Sequence, residues 1–276
     1  MAHPKIVLLT DFSPLSKIAI AYGIKMGAPV FAEFTILNIV RFEGASKTNL
    51  KTKQIERAIQ TIAEEEGKYF IDELRKEIKG NYKIEFKAVR AHTVAEMVKR
   101  YTEKNATNIV VMGSRGASAL KKVRLGGTTV SVIDDCSVPV LAIPEFANFK
   151  NLQNIVYATD LKDTQKELNV IIEFARNYGS TIHVIHVVPS MDKKVEAAKS
   201  SVEELIRKAG YDKLEFKLIL EEDIPKAIDN YIKETKADLL TTFTHKLSLE
   251  EKLFAKSVTR TLAYLGTIPL LAIKRK

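Results

Sequence analysis

The chain has one cysteine, no tryptophan, five histidines and only eight prolines in 276 residues. With Cys136 alone, no intrachain disulfide and no cysteine-built metal site can form, and a reducing compartment fits. Long apolar runs are also missing. The first such run, Ile6 to Leu9, stops at Thr10 and Asp11, far short of a signal-peptide core or of the ~20 apolar residues that span a bilayer. A membrane partner is therefore not expected, and the cytosol is the expected location. Charge is plentiful but unclustered: 43 basic against 34 acidic residues give a net +9. Scattered lysine marks solvated surface. Nucleic-acid binding would need basic residues interleaved with aromatics on one element, and no stretch has that pattern. Two nucleotide signatures are absent as well. The lack of G-x-x-x-x-G-K-[ST] excludes an ordinary P-loop NTPase, and the lack of G-x-G-x-x-G after the first strand argues against a dinucleotide oxidoreductase.

What is present is enough apolar sequence for two cores. Hydrophobic residues make up 46% and charged residues 28%, a globular composition, at a length that suits two domains. The sequence also repeats itself. Lys5–Asp11 (KIVLLTD) returns as Asn154–Asp160 (NIVYATD), Ile84–Lys87 (IEFK) as Leu214–Lys217 (LEFK), and Val138–Ile143 (VPVLAI) as Ile268–Ile273 (IPLLAI). The offset falls from 149 to 130 between the first match and the other two, so the first repeat carries nineteen extra residues, which suits a longer helix. Residues 148–151 form the natural linker, giving domains at 1–147 and 151–276.

Short β-branched runs alternate with amphipathic stretches in both repeats, which implies parallel strands joined by crossover helices: an α/β, doubly wound, Rossmann-like sheet in each. Strands are expected near 5–10, 34–40, 83–89, 108–112 and 139–143, nearly all apolar as strands covered on both faces should be. Helices are expected near 14–27, 51–79, 93–104 and 128–135. Thr93 with Glu96 has capping-box spacing. Strands of the second repeat are expected near 154–159, 181–187, 213–219, 237–242 and 269–273.

After the 108–112 strand come Gly113 and Gly116, then nine residues, then Gly126-Gly127-Thr128-Thr129 opening a helix. Glycine lets backbone approach a phosphate and permits positive φ, so successive amides can converge on an anion. A helix starting at Gly127 or Thr128 adds free amides and the positive end of its dipole. Ligands of open α/β sheets bind at this end of the strands. The hydroxyls of Thr128 and Thr129 are candidate donors to phosphate. Glycines that merely shape turns are the plainer alternative, and the second cluster at a helix start weighs against it.

Gly113-x-x-Gly116, nine residues, then Gly126 resembles the ATP-binding motif of universal stress proteins. Leu9–Ser13 (LTDFS) and Ser137–Ile143 (SVPVLAI) resemble that family too, and the likeness covers nearly all of both repeats. The resemblance implies a five-stranded sheet in the order 3-2-1-4-5, of the adenine nucleotide alpha hydrolase-like type. It implies ATP, ADP or AMP as ligand, with magnesium as an allowed companion, and a stress-response regulatory role. By the same resemblance Thr10 is a nucleotide-binding residue and Asp11 contacts the adenine, with the backbone of Ile39 at the base edge and Asn38 where many members carry histidine. Met112 and Gly113 lie by the ribose and phosphates, and Gly116, Gly126, Gly127, Thr128 and Thr129 hold the phosphate chain. Gly127 departs from the Ser or Thr usual in the family, which removes one hydroxyl contact. Asp11 has a second reading as the N-cap of the first helix. Of the cations Arg115, Lys121, Lys122 and Arg124, only Arg115 sits inside the loop as a candidate contact.

The second repeat places Phe243, Lys246 and Lys256 opposite Gly113, Gly116 and Gly126, so it should not hold phosphates in the same way. Asp160, His186, Ser257 and Thr259 remain at family positions, and His245 stands opposite Arg115. His183 and His186, three apart on a strand, point to opposite faces and cannot chelate one ion. The expected partners are thus an adenine nucleotide in the first repeat and, by resemblance, a pseudo-dimer of the repeats through their fifth strands, with a homodimer of whole chains as a further possibility. The rival classes are a slow ATP-hydrolysing or nucleotidyl-transferring enzyme and an interaction module with a structural pocket. Between Gly113 and Thr129 there is no Asp, Glu or His, so dedicated catalysis is disfavoured.

Overall fold

The first strand, β1 (Lys5–Thr10), has five consecutive buried residues, the pattern of a strand covered by helices on both faces. The computed structural model describes residues 3–41, 50–80, 82–115, 126–244 and 268–275. The chain divides into two units, Met1–Asn148 and Phe149–Lys276. In the first, β1 is followed by α1 (Pro14–Gly27), β2 (Glu33–Arg41), α2 (Leu50–Glu77), β3 (Ile84–Ala91), α3 (Val94–Lys104), β4 (Ile109–Gly113), α4 (Gly127–Asp135) and β5 (Val140–Ile143). The strands pair in parallel in the order β3-β2-β1-β4-β5, the 3-2-1-4-5 arrangement.

The second unit repeats this order. Its elements are β6 (Asn154–Ala158), α5 (Thr164–Arg176), β7 (Thr181–Val188), α6 (Lys193–Lys208), β8 (Leu214–Leu220), α7 (Ile224–Thr235), β9 (Leu239–Thr244) and β10 (Leu270–Lys274). Its strands run β8-β7-β6-β9-β10, again in parallel. The extra length of the first repeat falls largely on one helix: α2 has 28 residues and α6 has 16.

Helix starts follow side-chain chemistry. Ser13 caps α1 by accepting from the Ser16 amide, with Pro14 in the first turn, and Thr93 caps α3 by accepting from the Glu96 amide. α1 lies close on the sheet because its inner face carries Gly23 and Gly27. A Cβ at Gly23 would stand 2.6 Å from Leu8 Cδ2, and one at Gly27 would stand 2.7 Å from Ile6 Cδ1. On the opposite face α3 and α4 bury Val98 and Val132 completely, each contributing about 1.5–3 kcal/mol. One expectation fails at the edge: β3 is not apolar on both faces, and only its Ala88 is buried. Its position at the sheet margin leaves Glu85, Lys87 and Arg90 facing water, and charge on an edge strand discourages pairing with other chains.

Candidate functional site

The site is built on the turn after β1. Thr10 is buried, and its hydroxyl oxygen accepts from the Phe12 amide at 2.9 Å. Ser16 Oγ donates to the Ser13 carbonyl at 2.8 Å, so the 3.0 Å contact between Thr10 Oγ1 and Ser16 Oγ takes its proton from Thr10. Asn38 Nδ2 donates to the Thr10 carbonyl at 2.9 Å, tying β2 to the same turn. Phe12 adopts φ 60, a left-handed conformation that costs energy for a side chain. Its ring packs on those of Phe70 and Phe86, which holds it there.

Asp11 follows this turn and lines a cleft of about 260 Å³ at the carboxyl ends of the strands. Its Oδ1 accepts from the Ser13 amide at 3.1 Å. It is not the cap of α1; that place belongs to Ser13, because the helix begins at Pro14. Thr10, Ile39, Met112, Gly113, Arg115, Thr128 and Thr129 line the same cleft. The structure therefore brings together eight of the eleven residues expected at the site.

Of the other three, Gly116 lies outside the described residues, as do Lys121, Lys122 and Arg124. Gly126 and Gly127 form the stem of the glycine segment. Gly126 is buried, and its amide donates to the Ser114 carbonyl at 2.7 Å, while the Ser114 amide donates to Ile143. The Gly126 amide thus closes the base of the loop. Positive φ is not the reason for the described glycines of this segment either. Gly126 has φ −75, and neither Gly113 nor Gly127 is among the residues at positive φ. Gly113 is constrained by space, since a Cβ there would lie 2.9 Å from Leu15 Cγ.

Helix α4 starts with Gly126 in the cap position and no side chain to satisfy its first turn. Among the described residues nothing accepts from the amides of Gly127, Thr128 and Thr129, so three donors converge at the positive end of the helix dipole. The two threonines differ. Thr129 is buried and its hydroxyl donates to the Gly113 carbonyl at 3.1 Å, fastening α4 to β4, so that proton is engaged within the protein. Thr128 is exposed and lines the cleft. Arg115 lines it too, with its guanidinium paired to Glu145 just past β5.

Several lining residues escaped the sequence reading. Leu37 and Arg41 alternate with Ile39 along β2, a period of two that places all three on one face. Val94, at the first position of α3, also lines the cleft. Glu145 lies beyond the stretch from Gly113 to Thr129 in sequence, and only the fold brings the end of β5 beside the end of β4.

The second unit keeps the turn and replaces the chemistry. Leu161 has φ 62, Thr159 Oγ1 accepts from its amide at 3.0 Å, and Asp160 Oδ1 accepts from the Lys162 amide at 3.2 Å. His186, at the place of Asn38, donates through Nδ1 to the Thr159 carbonyl at 2.8 Å. Asp160, however, is bound by the guanidinium of Arg275, which also bonds Glu167 and lies 3.9 Å from Asp163. Burial alone would lower the pKa of Arg275, but its hydrogen bonds to Asp160 and Glu167 outweigh that and raise it. Glu167 is 2% exposed and accepts as well from the hydroxyl of the fully buried Tyr157. Phe243, opposite Gly113, packs its ring edge-on to Tyr157 at 5.8 Å. His183 and His186 serve separate elements: the ring of His183 lies between Asn154 and the Glu215 carboxylate. His245, Lys246, Lys256, Ser257 and Thr259 lie outside the described residues.

Comparison with known proteins agrees with this architecture. A universal stress protein of Methanocaldococcus jannaschii is 28% identical over 155 residues, covering 51% of this chain and 94% of the relative. One of Bacillus subtilis is 27% identical over 154 residues, covering 50% of this chain and 97% of the relative. The crystal structure of a universal stress protein from Archaeoglobus fulgidus superposes with a TM-score of 0.72 at 20% identity, covering 99% of this chain and 98% of that one. A structure from Pseudomonas aeruginosa does so with a TM-score of 0.62 at 16% identity, covering 99% and 94%. Among the described residues no helix is long and apolar enough to cross a membrane. The model of the Universal stress protein family matches twice, over residues 3–144 and 151–274, and the chain belongs to that family.

Proposed function

We propose that the first unit, residues 1–147, binds an adenine nucleotide, ATP, ADP or AMP, and that the chain acts as a cytoplasmic stress-response regulator through this one site. The observation that carries the reading is the meeting of three α4 amides, without acceptors among the described residues, with the apolar cleft at the carboxyl ends of β1, β2 and β4. The amides and the helix dipole suit phosphate oxygens. Ile39, Met112 and Leu37 offer apolar surface to a base, and Asp11 offers a carboxylate to an exocyclic amine. At about 260 Å³ the cleft is near the small end of ligand sites, a size suited to base and ribose with the phosphates directed to the glycine segment. Magnesium would accompany the phosphates and needs no protein carboxylate. The second unit, residues 151–276, with Arg275 on Asp160 and Phe243 in place of glycine, is read as having no equivalent site. Self-association of whole chains belongs to the same proposal and is checked by sedimentation with and without nucleotide.

Release of bound nucleotide from purified protein, followed by calorimetry with ATP, should give one equivalent per chain. Gly127→Pro supplies the decisive variant. Proline suits the first helical position, and Gly126 already has the extended φ −75, ψ 152 that a residue before proline prefers. The substitution therefore removes one amide and leaves the helix. Loss of a charge-assisted hydrogen bond of about 1.5–3 kcal/mol predicts a drop in ATP affinity of at least tenfold. Unaltered affinity in a folded Gly127→Pro protein, or no uptake by the parent chain, overturns the reading.

A further inference from the structure

The outermost strand of the second unit, β8, pairs with β7 alone among the described residues, so one of its edges is open. The ladder shows which groups face that edge. The Ile182 amide donates to the Lys213 carbonyl and the Glu221 amide to the Val188 carbonyl, both at 2.9 Å. Alternate residues of a strand turn the same way, so residues 213, 215, 217, 219 and 221 bond inward to β7, while Leu214, Phe216, Leu218 and Leu220 turn their amides and carbonyls outward. Such a row is a template for a further strand.

The charges decide which strand fits. Glu215 and Lys217 flank Phe216 and lie on one face of the sheet. When a second β8 is set antiparallel with Phe216 opposite Phe216, Leu214 meets Leu218 and Glu215 meets Lys217, twice over. The outward residues then form the hydrogen-bonded pairs, and both Glu–Lys couples fall at the other kind of pair, where Cα atoms stand only ~4.5 Å apart and side chains are closest. A slip of two residues puts Glu215 opposite Glu215 or Lys217 opposite Lys217, and a slip of one sets outward groups against inward ones. One register is thereby selected. Within the chain Glu215 lies 3.1 Å from His183 Nδ1 and Lys217 lies 3.2 Å from Glu234, but their side chains are 64% and 47% exposed, which leaves room for a second partner. Residues 213–221 carry Lys213 and Lys217 against Glu215 and Glu221, with no net charge. The edge of the first unit lacks this balance: β3 has the same Glu-Phe-Lys order, yet residues 83–91 carry Lys83, Lys87 and Arg90 against Glu85, which already accepts from Lys87 and Thr35.

We infer that two chains associate about a two-fold axis by antiparallel pairing of their β8 edges. The inference rests on the self-association proposed above, to which it gives a face, and not on the nucleotide. A two-fold contact uses the same surface of both chains and closes at a dimer. Because the contact is one strand wide and held in register by exposed charges, the dimer is weak and salt weakens it further.

Sedimentation equilibrium of the full chain at about 100 μM, without nucleotide, tests the pairing. A monomer–dimer equilibrium is expected. Lys217→Glu and Glu215→Lys, both at exposed positions, each set like charges opposite one another twice and should weaken the dimer at least about tenfold, whereas the double variant exchanges the charges and should restore it to within about threefold of the parent. A monomeric parent chain overturns self-association and this face together. A dimer unmoved by either single variant, or a double variant that stays monomeric, overturns this face alone and leaves self-association to another. Growth past the dimer, which pairing of β8 with β3 would produce, overturns it as well. If a single variant fails to fold, the parent decides: its dimer dissociation constant should rise with sodium chloride, and a constant that does not move overturns the pairing.

Discussion

Arg275→Met removes the cation that holds the closed site of the second unit, and the structure sets the size of the effect. Asp160 and Asp163 have side chains 40% and 50% exposed, so they rehydrate when the guanidinium is gone and contribute little. Glu167 is different, with 3% of its side chain exposed. Stripped of Arg275 it keeps, among the described residues, only the Tyr157 hydroxyl, and removing one partner of a buried pair costs about 3–5 kcal/mol. Replacing both members by apolar residues is usually far less harmful. Arg275→Met with Glu167→Met should therefore recover most of the loss, short of about 1 kcal/mol for the stranded Tyr157 hydroxyl. The chain has no tryptophan, so native-state hydrogen exchange of the β6 and β7 amides is the suitable assay, and it reports the second unit by itself. A loss below about 1 kcal/mol in the single variant, or a double variant no more stable than the single, would refute the assignment of Arg275 as the counter-ion of a buried carboxylate.

Two other outcomes are expected. Gly127 has nothing within 4 Å of where a Cβ would stand, so Gly127→Ser fits without strain and adds a hydroxyl beside the free amides. Calorimetry should show ATP bound about two- to tenfold more tightly, and weaker binding would mean that this helix start does not face the phosphates. Burial pushes the Tyr178 hydroxyl up to about 12 from its ordinary 10.0. The unfolded chain then releases this proton first, so the stabilising contribution is complete below pH 10 and is lost as pH rises from 10 towards 12. Tyr178→Phe should flatten that part of the stability profile in alkaline denaturation, and an unchanged slope would contradict the assignment.

Strand and helix positions were legible because period and punctuation agree: LTDFSP ends a strand and caps a helix, and Thr93 with Glu96 opens another. The 3-2-1-4-5 order came from family resemblance, since alternation of strands and helices fixes parallel pairing but not sequence of strands in the sheet. At the cleft, the sequence named many of the lining residues but not how their hydrogen-bonding groups are spent. Thr129 and Gly126 are both small and polar at a helix start, yet Gly113 and Ser114 claim the hydroxyl of one and the amide of the other. Such competition is settled by where β4 ends relative to α4, which residue types alone do not encode. Arg275 was overlooked for a related reason: it lies 115 residues from Asp160, and nothing local marks it as more than one of a terminal run of cations.

The two units share the turn after the first strand almost bond for bond, so its geometry does not explain why one aspartate lines a cleft and the other is paired to an arginine. The difference lies two residues past the last isoleucine of the fifth strand. Glu145 stands there after Ile143 and engages Arg115; Arg275 stands there after Ile273 and engages Asp160. An acid at this slot draws a cation to the glycine segment, whereas a base at the same slot neutralises the first-strand aspartate. On the proposed reading, loss of the glycines affects the end of the crevice assigned to phosphates, and the sign of this slot affects the end assigned to the base. Two independent changes therefore separate the units, and restoring glycines at Phe243, Lys246 and Lys256 would still leave Asp160 tied to Arg275.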